Sequence, residues 1–364
     1  MTQKRHIVRT DLWLDAAFEA RLAQESDIDV KRIVCRTEAQ TAAATQTDAA
    51  NWGLLAQAHA YNISAARDEL PPYLFANAAL LARCPQLLCV SSTGAGYDTV
   101  NVPDCTAAGI AVVNQAGANA VSVAEMAIGL LLDVSRRISE CNRRLHSESR
   151  FAREEVMGRE ICGKTMGLIG IGHTGSRVAK LADAFGMQVL AFDPLLSAGE
   201  IARRGAKPVS FDQLLERADT VSVHCPRDAT TSGMFDAAAF ARMRRGAIFV
   251  TTARGGIHDE AALAAALQSG HLGGAGLDVW QPEPPALDHP LLALPNVVAT
   301  YHTAGVTHEA RRNIAGWAAE QLAGVLKGER PPRLINPEVW PAYCARFERV
   351  MGFAPSMAAA DKTA

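Results

Sequence analysis

Short apolar runs alternate with helical patterns along most of this chain. From about residue 165 the alternation is regular, with helical stretches such as "SRVAKLADAFG" and "HDEAALAAALQSG" between the apolar runs. Apolar strands separated by helices predict a parallel sheet that is covered on both faces. The predicted strands are "LLCVSS", "GIAVVN", "TMGLIG", "QVLAF", "DTVSVHC", "AIFVTT", "AGLDVW" and "NVVAT".

Two long helical patterns and a polar end divide the chain into domains. The stretch "NAVSVAEMAIGLLLDVSRRI" is apolar around most of its circumference, so it must be buried at a domain junction or a dimer interface. The helix "EARRNIAGWAAEQLAGVLKG" follows the regular region and could pack back onto the N-terminal part. We therefore predict a substrate domain at 1–118 with 306–340 and a nucleotide-binding domain at 119–305. A C-terminal tail at 341–364 would be a helix followed by a loose end.

Composition narrows the classes of function. The 364 residues can bury a large core and fit two domains. With 36 Lys plus Arg against 38 Asp plus Glu and no run of like charge, we expect no nucleic-acid partner and no membrane partner. The eight cysteines form no CxxC pair, which favours reduced thiols over disulfides or a metal site, and the N-terminus lacks a signal-peptide pattern. A cytoplasmic protein is the resulting expectation.

The segment "GLIGIGHTG" resembles a phosphate cradle. Gly170, Gly172 and Gly175 lie between an apolar strand and a helix, and Asp193 ends the next strand 18 residues after the third glycine. The first glycine permits a tight turn, the second allows a pyrophosphate to approach, and the third permits close packing of the helix on the strand. The acid at Asp193 would bind ribose hydroxyls and repel a 2′-phosphate, which favours NAD over NADP. The alternative is a structural turn with an unrelated acid.

Three later strands end in groups that suit hydride transfer to a 2-oxo acid. Arg254, Glu283 and His302 follow consecutive apolar runs, and in an open parallel sheet these ends share one edge. An imidazolium can donate a proton near neutral pH, a buried glutamate beside it favours its protonated form, and an arginine can bind a carboxylate bidentately. Each residue alone has a structural explanation, namely a core histidine, a salt-bridge arginine or a solvated glutamate.

Together these stretches resemble the D-isomer-specific 2-hydroxyacid dehydrogenase family. The resemblance covers about residues 87–328. It implies an α/β fold of two domains, in which a Rossmann-type doubly wound parallel sheet is inserted into a smaller flavodoxin-like α/β substrate domain, with the active site in the cleft between them. It also implies NAD-dependent interconversion of a 2-oxo acid and an (R)-2-hydroxy acid by a homodimer built around the long helix. The stretches that carry it are "GAGYDTVN", "VAEMAIGLLL", "CGKTMGLIGIGHTG", "VHCPRDATTSGMF", "TTARGGIHDEAAL", "GAGLDVWQPEPP" and "HTAGVTHEA".

The resemblance also implies roles for individual residues. Arg254 would bind the substrate carboxylate, His302 would be the acid and base, and Glu283 its partner. Asp278 would contact the nicotinamide carboxamide, and the backbone amides of the substrate-domain loop would hold the substrate carboxylate. This substrate-domain loop consists of Gly94, Ala95 and Gly96. The remaining cofactor-binding residues would be Gly170, Gly172, His173, Thr174, Gly175, Asp193, Cys225, Pro226, Thr231, Thr252, Ala253 and His302 itself.

The chain departs from the family pattern in four respects. His173 and Thr174 replace the usual Arg-Ile pair, and Tyr301 replaces the proline before the catalytic histidine. No regulatory domain of the kind found in longer phosphoglycerate dehydrogenases is expected after the dehydrogenase part. The first 85 residues match poorly, and there Ser64 and Arg67 are candidates for substrate contacts, with an ordinary surface loop equally plausible.

Two other functions are compatible with the pattern. Phosphite oxidation uses the same fold, whereas formate oxidation is disfavoured because that branch pairs its histidine with glutamine. An NAD(H)-sensing corepressor-like binding protein retains the same three residues, although no basic patch supports it here. The pattern leaves open which 2-oxo acid is the substrate.

Overall fold

A computed structural model describes residues 4–35 and 44–356, apart from the side chains of 44–48. The described chain divides into two compact units. The first comprises the residues up to Asn119 together with those from His308 onward, and the second runs from Ala120 to Thr307.

Each unit contains one wholly parallel sheet. The five-stranded sheet of the first unit has the order β2-β1-β3-β4-β5, and the seven-stranded sheet of the second has the order β12-β11-β10-β9-β6-β7-β8. These are the flavodoxin-like and the Rossmann orders, the latter with one added edge strand. The strands are β1 Arg5–Thr10, β2 Ile28–Ile33, β3 Ala60–Ile63, β4 Cys89–Ser92, β5 Ala111–Val113, β6 Thr165–Ile169, β7 Gln188–Phe192, β8 Lys207–Pro208, β9 Thr220–Val223, β10 Ile248–Thr251, β11 Gly274–Leu277 and β12 Val297–Ala299.

The helices connect the strands as parallel pairing requires. Several begin at a side-chain cap, such as Asp259 before α11 and Ser197 before α8, which satisfy amide groups that the first helical turn leaves unpaired. The helices are α1 Ala17–Leu22, α2 Ala44–Ala56, α3 Ala78–Leu81, α4 Val102–Ala107, α5 Ala120–Arg136, α6 Ile138–Ser147, α7 His173–Ala184, α8 Ala198–Arg203, α9 Phe211–Arg217, α10 Ala237–Arg242, α11 Glu260–Gln268, α12 His308–Leu326 and α13 Trp340–Met351.

The last two helices belong to the core of the first unit. Helix α12 packs against α1, and its alanine-rich face, with Leu322 and Leu326, meets the apolar side of β3 and β4. Helix α13 buries Tyr343 and Phe347 in the same cluster. Between them the buried Asn336 side chain accepts a hydrogen bond from the Val112 amide at 2.9 Å, which attaches the C-terminal segment to β5.

The long apolar helix α5 packs inside the second unit. Its buried face includes Leu130 and Leu131 and lies on α7 and on β10, β11 and β12. Close contact is possible because β11 contains glycines; a Cβ on Gly276 would lie 2.8 Å from the Leu130 Cβ. The sheet therefore covers much of the apolar surface that the sequence assigned to a junction or an interface.

The predicted α/β class with two parallel-sheet domains is confirmed. The predicted boundaries at 118/119 and 305/306 differ from the limits of the compact units by one and two residues. Residues 341–351, which we predicted as part of a separate tail, are helix α13 of the first unit. Residues 357–364 of that tail lie outside the described part of the chain. None of the helices described combines the length and apolar character needed to cross a membrane.

Candidate active site

The carboxyl ends of β6, β9, β10, β11 and β12 lie at one edge of the second sheet, and most of the predicted site residues follow these strands. Ligands of doubly wound sheets bind at this edge, where the strand order reverses. Here the reversal lies between β6 and β9.

His302 and Glu283 form a direct pair. The His302 Nδ1 lies 2.8 Å from the Glu283 Oε2, and the second carboxylate oxygen accepts the Trp280 amide at 2.9 Å. Because a carboxylate only accepts hydrogen bonds, this contact assigns the proton to Nδ1 and leaves the His302 Nε2 for proton exchange.

The ionised state of Glu283 is favoured by its neighbours. Burial acts to raise the pKa of Glu283. The hydrogen bond and charge of His302, the Trp280 amide and the positive charge of Arg254 act in the opposite direction and hold the pKa below its ordinary value. Arg254 is thus close enough to act on Glu283, and its Nη1 donates to the Ala253 carbonyl at 2.7 Å. The structure brings together the three residues that the strand ends predicted.

Asp278 holds the turn that carries His302. His302 has a φ of 46°, in the left-handed region that non-glycine residues seldom occupy. The fully buried Asp278 accepts the His302 amide at its carbonyl (2.6 Å) and the amides of Thr303 (2.8 Å) and Ala304 (3.0 Å) at its carboxylate. The Thr300 hydroxyl donates to the same carboxylate at 2.6 Å. These bonds fix the loop, and the nicotinamide contact that the resemblance implies for Asp278 stays a prediction.

The glycine segment has the geometry of an anion cradle. Gly170 has a φ of 84°, and a Cβ there would lie 3.0 Å from the Cys225 amide nitrogen; a Cβ on Gly175 would lie 2.2 Å from the Gly170 carbonyl oxygen. A Cβ on Gly172 would meet nothing within 4 Å, so the surface above it is open. Helix α7 begins here without a side-chain cap, and the start of a helix is a favourable place for an anion. His173 and Thr174 form the first turn of this helix.

Asp193 is oriented by backbone amides at the end of β7. Its carboxylate accepts the amide of Ile171 at 3.0 Å and that of Leu195 at 3.1 Å. The carbonyl of the same Ile171 accepts the Arg204 guanidinium at 2.8 Å. The predicted ribose-binding acid therefore lies directly beside the glycine turn, with an arginine next to it.

The other predicted cofactor residues surround the same edge. The Thr231 hydroxyl donates to the Pro226 carbonyl at 2.7 Å, which closes the loop after β9. Burial raises the pKa of the neighbouring Cys225 to about 12, so it is a neutral thiol. The Thr252 hydroxyl, after β10 and next to Ala253, is buried and has no hydrogen-bond partner in the described chain. An unpaired buried hydroxyl, open space over Gly172 and uncapped helix amides all fit a dinucleotide.

The predicted carboxylate-binding loop lies in the first unit, after β4. Its three carbonyls, those of Gly94, Ala95 and Gly96, accept hydrogen bonds from the Gln115 amide, the Asn114 side chain and the Ser92 hydroxyl. The three amides of this loop donate to no protein group within the described residues. With the carbonyls turned inward, the loop presents a row of N–H groups of the kind that binds anions.

Ser64 and Arg67 are near this loop. The Ser64 side chain is buried and donates to Glu69 at 2.5 Å, so it serves the loop that follows β3. Arg67 is exposed; its Nε donates to the Asp98 carbonyl at 2.9 Å and its guanidinium lies 5.7 Å from the centre of the Phe75 ring. Tyr301 is half-exposed beside His302. Within residues 4–35 and 44–356, no cluster of acidic, histidine or cysteine side chains is arranged to hold a metal ion.

Comparison with known proteins identifies the family. Residues 128–304 match the model of the D-isomer specific 2-hydroxyacid dehydrogenase NAD binding domain. Over 266 residues the chain is 37% identical to a glyoxylate reductase of Korarchaeum cryptofilum, an alignment that covers 72% of this chain and 80% of the relative. The chain belongs to the D-isomer specific 2-hydroxyacid dehydrogenase family.

Other members show how far the similarity extends. The chain is 40% identical over 278 residues to a D-3-phosphoglycerate dehydrogenase of Archaeoglobus fulgidus, covering 76% of this chain and 52% of the relative. The chain thus spans about half the length of the phosphoglycerate dehydrogenases it matches. A D-lactate dehydrogenase of Aquifex aeolicus, solved with NAD and lactic acid, superposes with a TM-score of 0.73 and 25% identity over 89% of this chain and 96% of that one. The predicted family is confirmed, and with it an NAD-type nucleotide-binding domain.

Sequence reasoning missed several residues that support the site. Trp280, Glu260 and His289 hold the loop around Glu283, and Arg227 donates to the Gln281 side chain of that loop. The sequence contained one signal for them: Glu260 in "GGIHDEAAL" and His289 in "DHP" are polar residues near predicted strand ends that no motif explains.

Proposed function

We propose that this protein is an NAD-dependent oxidoreductase that interconverts a 2-oxo acid and an (R)-2-hydroxy acid. The observation that carries the proposal is the 2.8 Å contact between the His302 Nδ1 and Glu283, with Arg254 beside it, at the edge that also holds the glycine cradle. The names of the relatives, phosphoglycerate dehydrogenase, glyoxylate reductase and D-lactate dehydrogenase, support the same class of substrate.

The residues of the chain would divide the work as follows. A nicotinamide ring bound at this edge supplies or accepts the hydride equivalent. His302 donates a proton from Nε2 to the carbonyl oxygen of the oxo acid and takes it back in the reverse direction. Glu283 stabilises the imidazolium and fixes the ring, and Arg254 binds the substrate carboxylate. In the first unit, the amides of Gly94, Ala95 and Gly96, which donate to no protein group in the described chain, would bind an anion of the carboxylate type.

A substrate panel tests this proposal. NADH oxidation is measured with glyoxylate, hydroxypyruvate, phosphohydroxypyruvate, pyruvate and branched 2-oxo acids, and NAD reduction is measured with phosphite. We expect turnover of at least one oxo acid that falls at least 100-fold in His302→Ala and in Arg254→Ala. Arg242→Ala is the matched control, because Arg242 forms exposed ion pairs with Asp212 and Glu216 on the surface of the same unit. Near-normal turnover in His302→Ala, or turnover of phosphite alone, would overturn the proposal.

We propose NAD as the preferred cofactor because of Asp193. Its carboxylate, anchored by the amides of Ile171 and Leu195, would accept the ribose hydroxyls and repel a 2′-phosphate. Removing it leaves Arg204 beside the same turn. We therefore expect Asp193→Ala to lose NADH affinity and to raise the ratio of NADPH to NADH efficiency at least 10-fold. An unchanged ratio would contradict this assignment.

We also propose a homodimer and a cytoplasmic location. Large exposed apolar side chains occur in and after helix α6, at Ile138, Leu145 and Met157, which supports a contact surface in this region. The cysteines are all unpaired, in agreement with a reducing compartment. Light scattering at low protein concentration measures the oligomeric state, and Leu145→Glu is expected to produce a monomer.

A further inference from the structure

A second carboxylate–imidazole pair lies behind the loop that carries Glu283. Glu260, the first residue of helix α11, and His289 both have mostly buried side chains, 13% and 17% exposed. The Glu260 Oε2 lies 3.0 Å from the His289 Nε2. The His289 Nδ1 accepts the Leu291 amide at 3.3 Å, so the proton of the ring is on Nε2 and points to Glu260.

The two oxygens of Glu260 bind the two ends of one loop. Its Oε2 holds His289, and its Oε1 accepts the amide of Gln281 at 2.8 Å. A single carboxylate thus closes the segment Gln281–His289, in which Glu283 is the third residue. Closing a loop at its base restricts the conformations of the residues inside it.

Trp280 connects this closure to the catalytic pair. Its indole packs edge-on against the His289 ring, with centroids 5.6 Å apart, and its indole N–H donates to the Thr300 carbonyl at 2.9 Å. Its backbone amide holds the Glu283 Oε1. The chain of contacts therefore runs from Glu260 through His289 and Trp280 to Glu283 and His302.

We propose that Glu260 is a positioning residue that holds Glu283 against His302 by closing the loop Gln281–His289. The proposal rests on the proposed function. The hydrogen bonds of Glu260 go to Gln281 and His289 at the two ends of the loop, so its effect on the catalytic pair passes through the loop. Displacing a catalytic group by about 1 Å can cost about 100-fold in rate, which makes the closure important for turnover.

Three variants test the two contacts of Glu260, with Gln281 and with His289, separately. Glu260→Ala removes both contacts. Glu260→Gln keeps one acceptor oxygen and therefore one contact at a time. His289→Asn keeps a side-chain acceptor for the Leu291 amide but is too short to reach Glu260, so it tests the closure alone if Glu260→Ala does not fold. Glu216→Ala is the matched control, because it removes an acid of the same unit from an exposed pair with Arg242.

Kinetics give the first readout, with the 2-oxo acid that the panel identifies. We expect kcat to fall about 10- to 100-fold in Glu260→Ala and less in Glu260→Gln and His289→Asn, with KM within threefold of the parent. In a Glu283→Gln background, Glu260→Ala should cost less than twofold more, because the group it positions is already lost. Fully additive losses, or parental kcat in a folded Glu260→Ala protein, would overturn the proposal.

A spectroscopic readout does not depend on turnover. In the full-length protein the His302 Nδ1 proton, hydrogen-bonded to Glu283, should give a downfield NMR signal that disappears in Glu283→Gln. We expect this signal to broaden or vanish in Glu260→Ala and to persist in Glu216→Ala. A wild-type protein that turns over no 2-oxo acid would refute the proposed function, and this signal would still decide on the positioning role. An unchanged signal in Glu260→Ala would refute the positioning role alone.

Discussion

His258 is a buried histidine whose replacement should stabilise the second unit. It lies between β10 and α11, it is 3% exposed, and its ring packs 5.5 Å from the Phe249 ring centre. Neither ring nitrogen has a hydrogen-bond partner within the described chain. Burial lowers the pKa of His258 to about 4, against a smaller opposing effect of the Asp259 charge.

The magnitude follows from proton linkage. A folded-state pKa of about 4, compared with 6.5 in the unfolded chain, corresponds to about 3 kcal/mol. As the pH falls, His258 is protonated in the unfolded chain before it is protonated in the folded protein. The free energy of unfolding is therefore unaffected by this protonation above pH 6.5 and decreases as the pH falls from 6.5 towards 4. An unpaired buried polar group costs a further ~1–3 kcal/mol at neutral pH. His258→Leu, which has a similar volume, removes both effects.

Urea unfolding of the full-length protein at several pH values tests this expectation. We expect His258→Leu to be more stable than the parent by about 1 kcal/mol or more at pH 7.5. The difference should widen by about 2–3 kcal/mol at pH 4.5. Hydrogen exchange of peptides from β9 to β11 assigns the effect to the second unit. A less stable variant, or a difference that does not change with pH, would refute the reasoning.

Three further predictions concern other parts of the molecule. Gly175→Ala places a Cβ 2.2 Å from the Gly170 carbonyl oxygen and must displace the glycine turn, so NADH affinity measured by fluorescence should fall at least 10-fold. Gly172→Ala is at an open position, and this variant should fold normally. Asn336→Ala removes buried hydrogen bonds to the β5 region and should lower the free energy of unfolding by about 2–4 kcal/mol in urea. Because the positive charge of Arg254 helps to hold the pKa of Glu283 low, the acidic limb of kcat/KM should persist to lower pH in the parent than in Arg254→Lys, where that charge is displaced; coinciding limbs would contradict this.

Much of the candidate site could be predicted from the sequence because parallel sheets align strand ends. Once "AIFVTT", "AGLDVW" and "NVVAT" are recognised as consecutive parallel strands, the residues after them must share one edge. The prediction that Arg254, Glu283 and His302 lie at the same edge required no further information. The glycine spacing likewise predicts a tight turn after the strand, and Gly170 has the positive φ, 84°, that such a turn requires.

What the sequence could not provide was the partner of each charged group within the loops. The carboxylate of Asp278 bonds to Thr303 and Ala304 in a turn where His302 adopts a left-handed conformation, which no periodicity indicates. The loop closure by Glu260 depends on two residues brought together by an irregular segment. For the C-terminal helix a signal existed: Trp340, Tyr343 and Phe347 recur at helical spacing on one face.

The two halves of the site differ in how they tolerate substitution. We propose that the cradle around Gly172 binds an anion through backbone amides at the start of α7, so the change from Arg-Ile to His173-Thr174 would weaken or replace a side-chain contact and leave the amides in place. Proton transfer has no such backbone substitute, because only side chains offer an imidazole and its carboxylate. This difference explains why the chain can depart from the family pattern inside the glycine motif while it keeps His302 and Glu283 in contact.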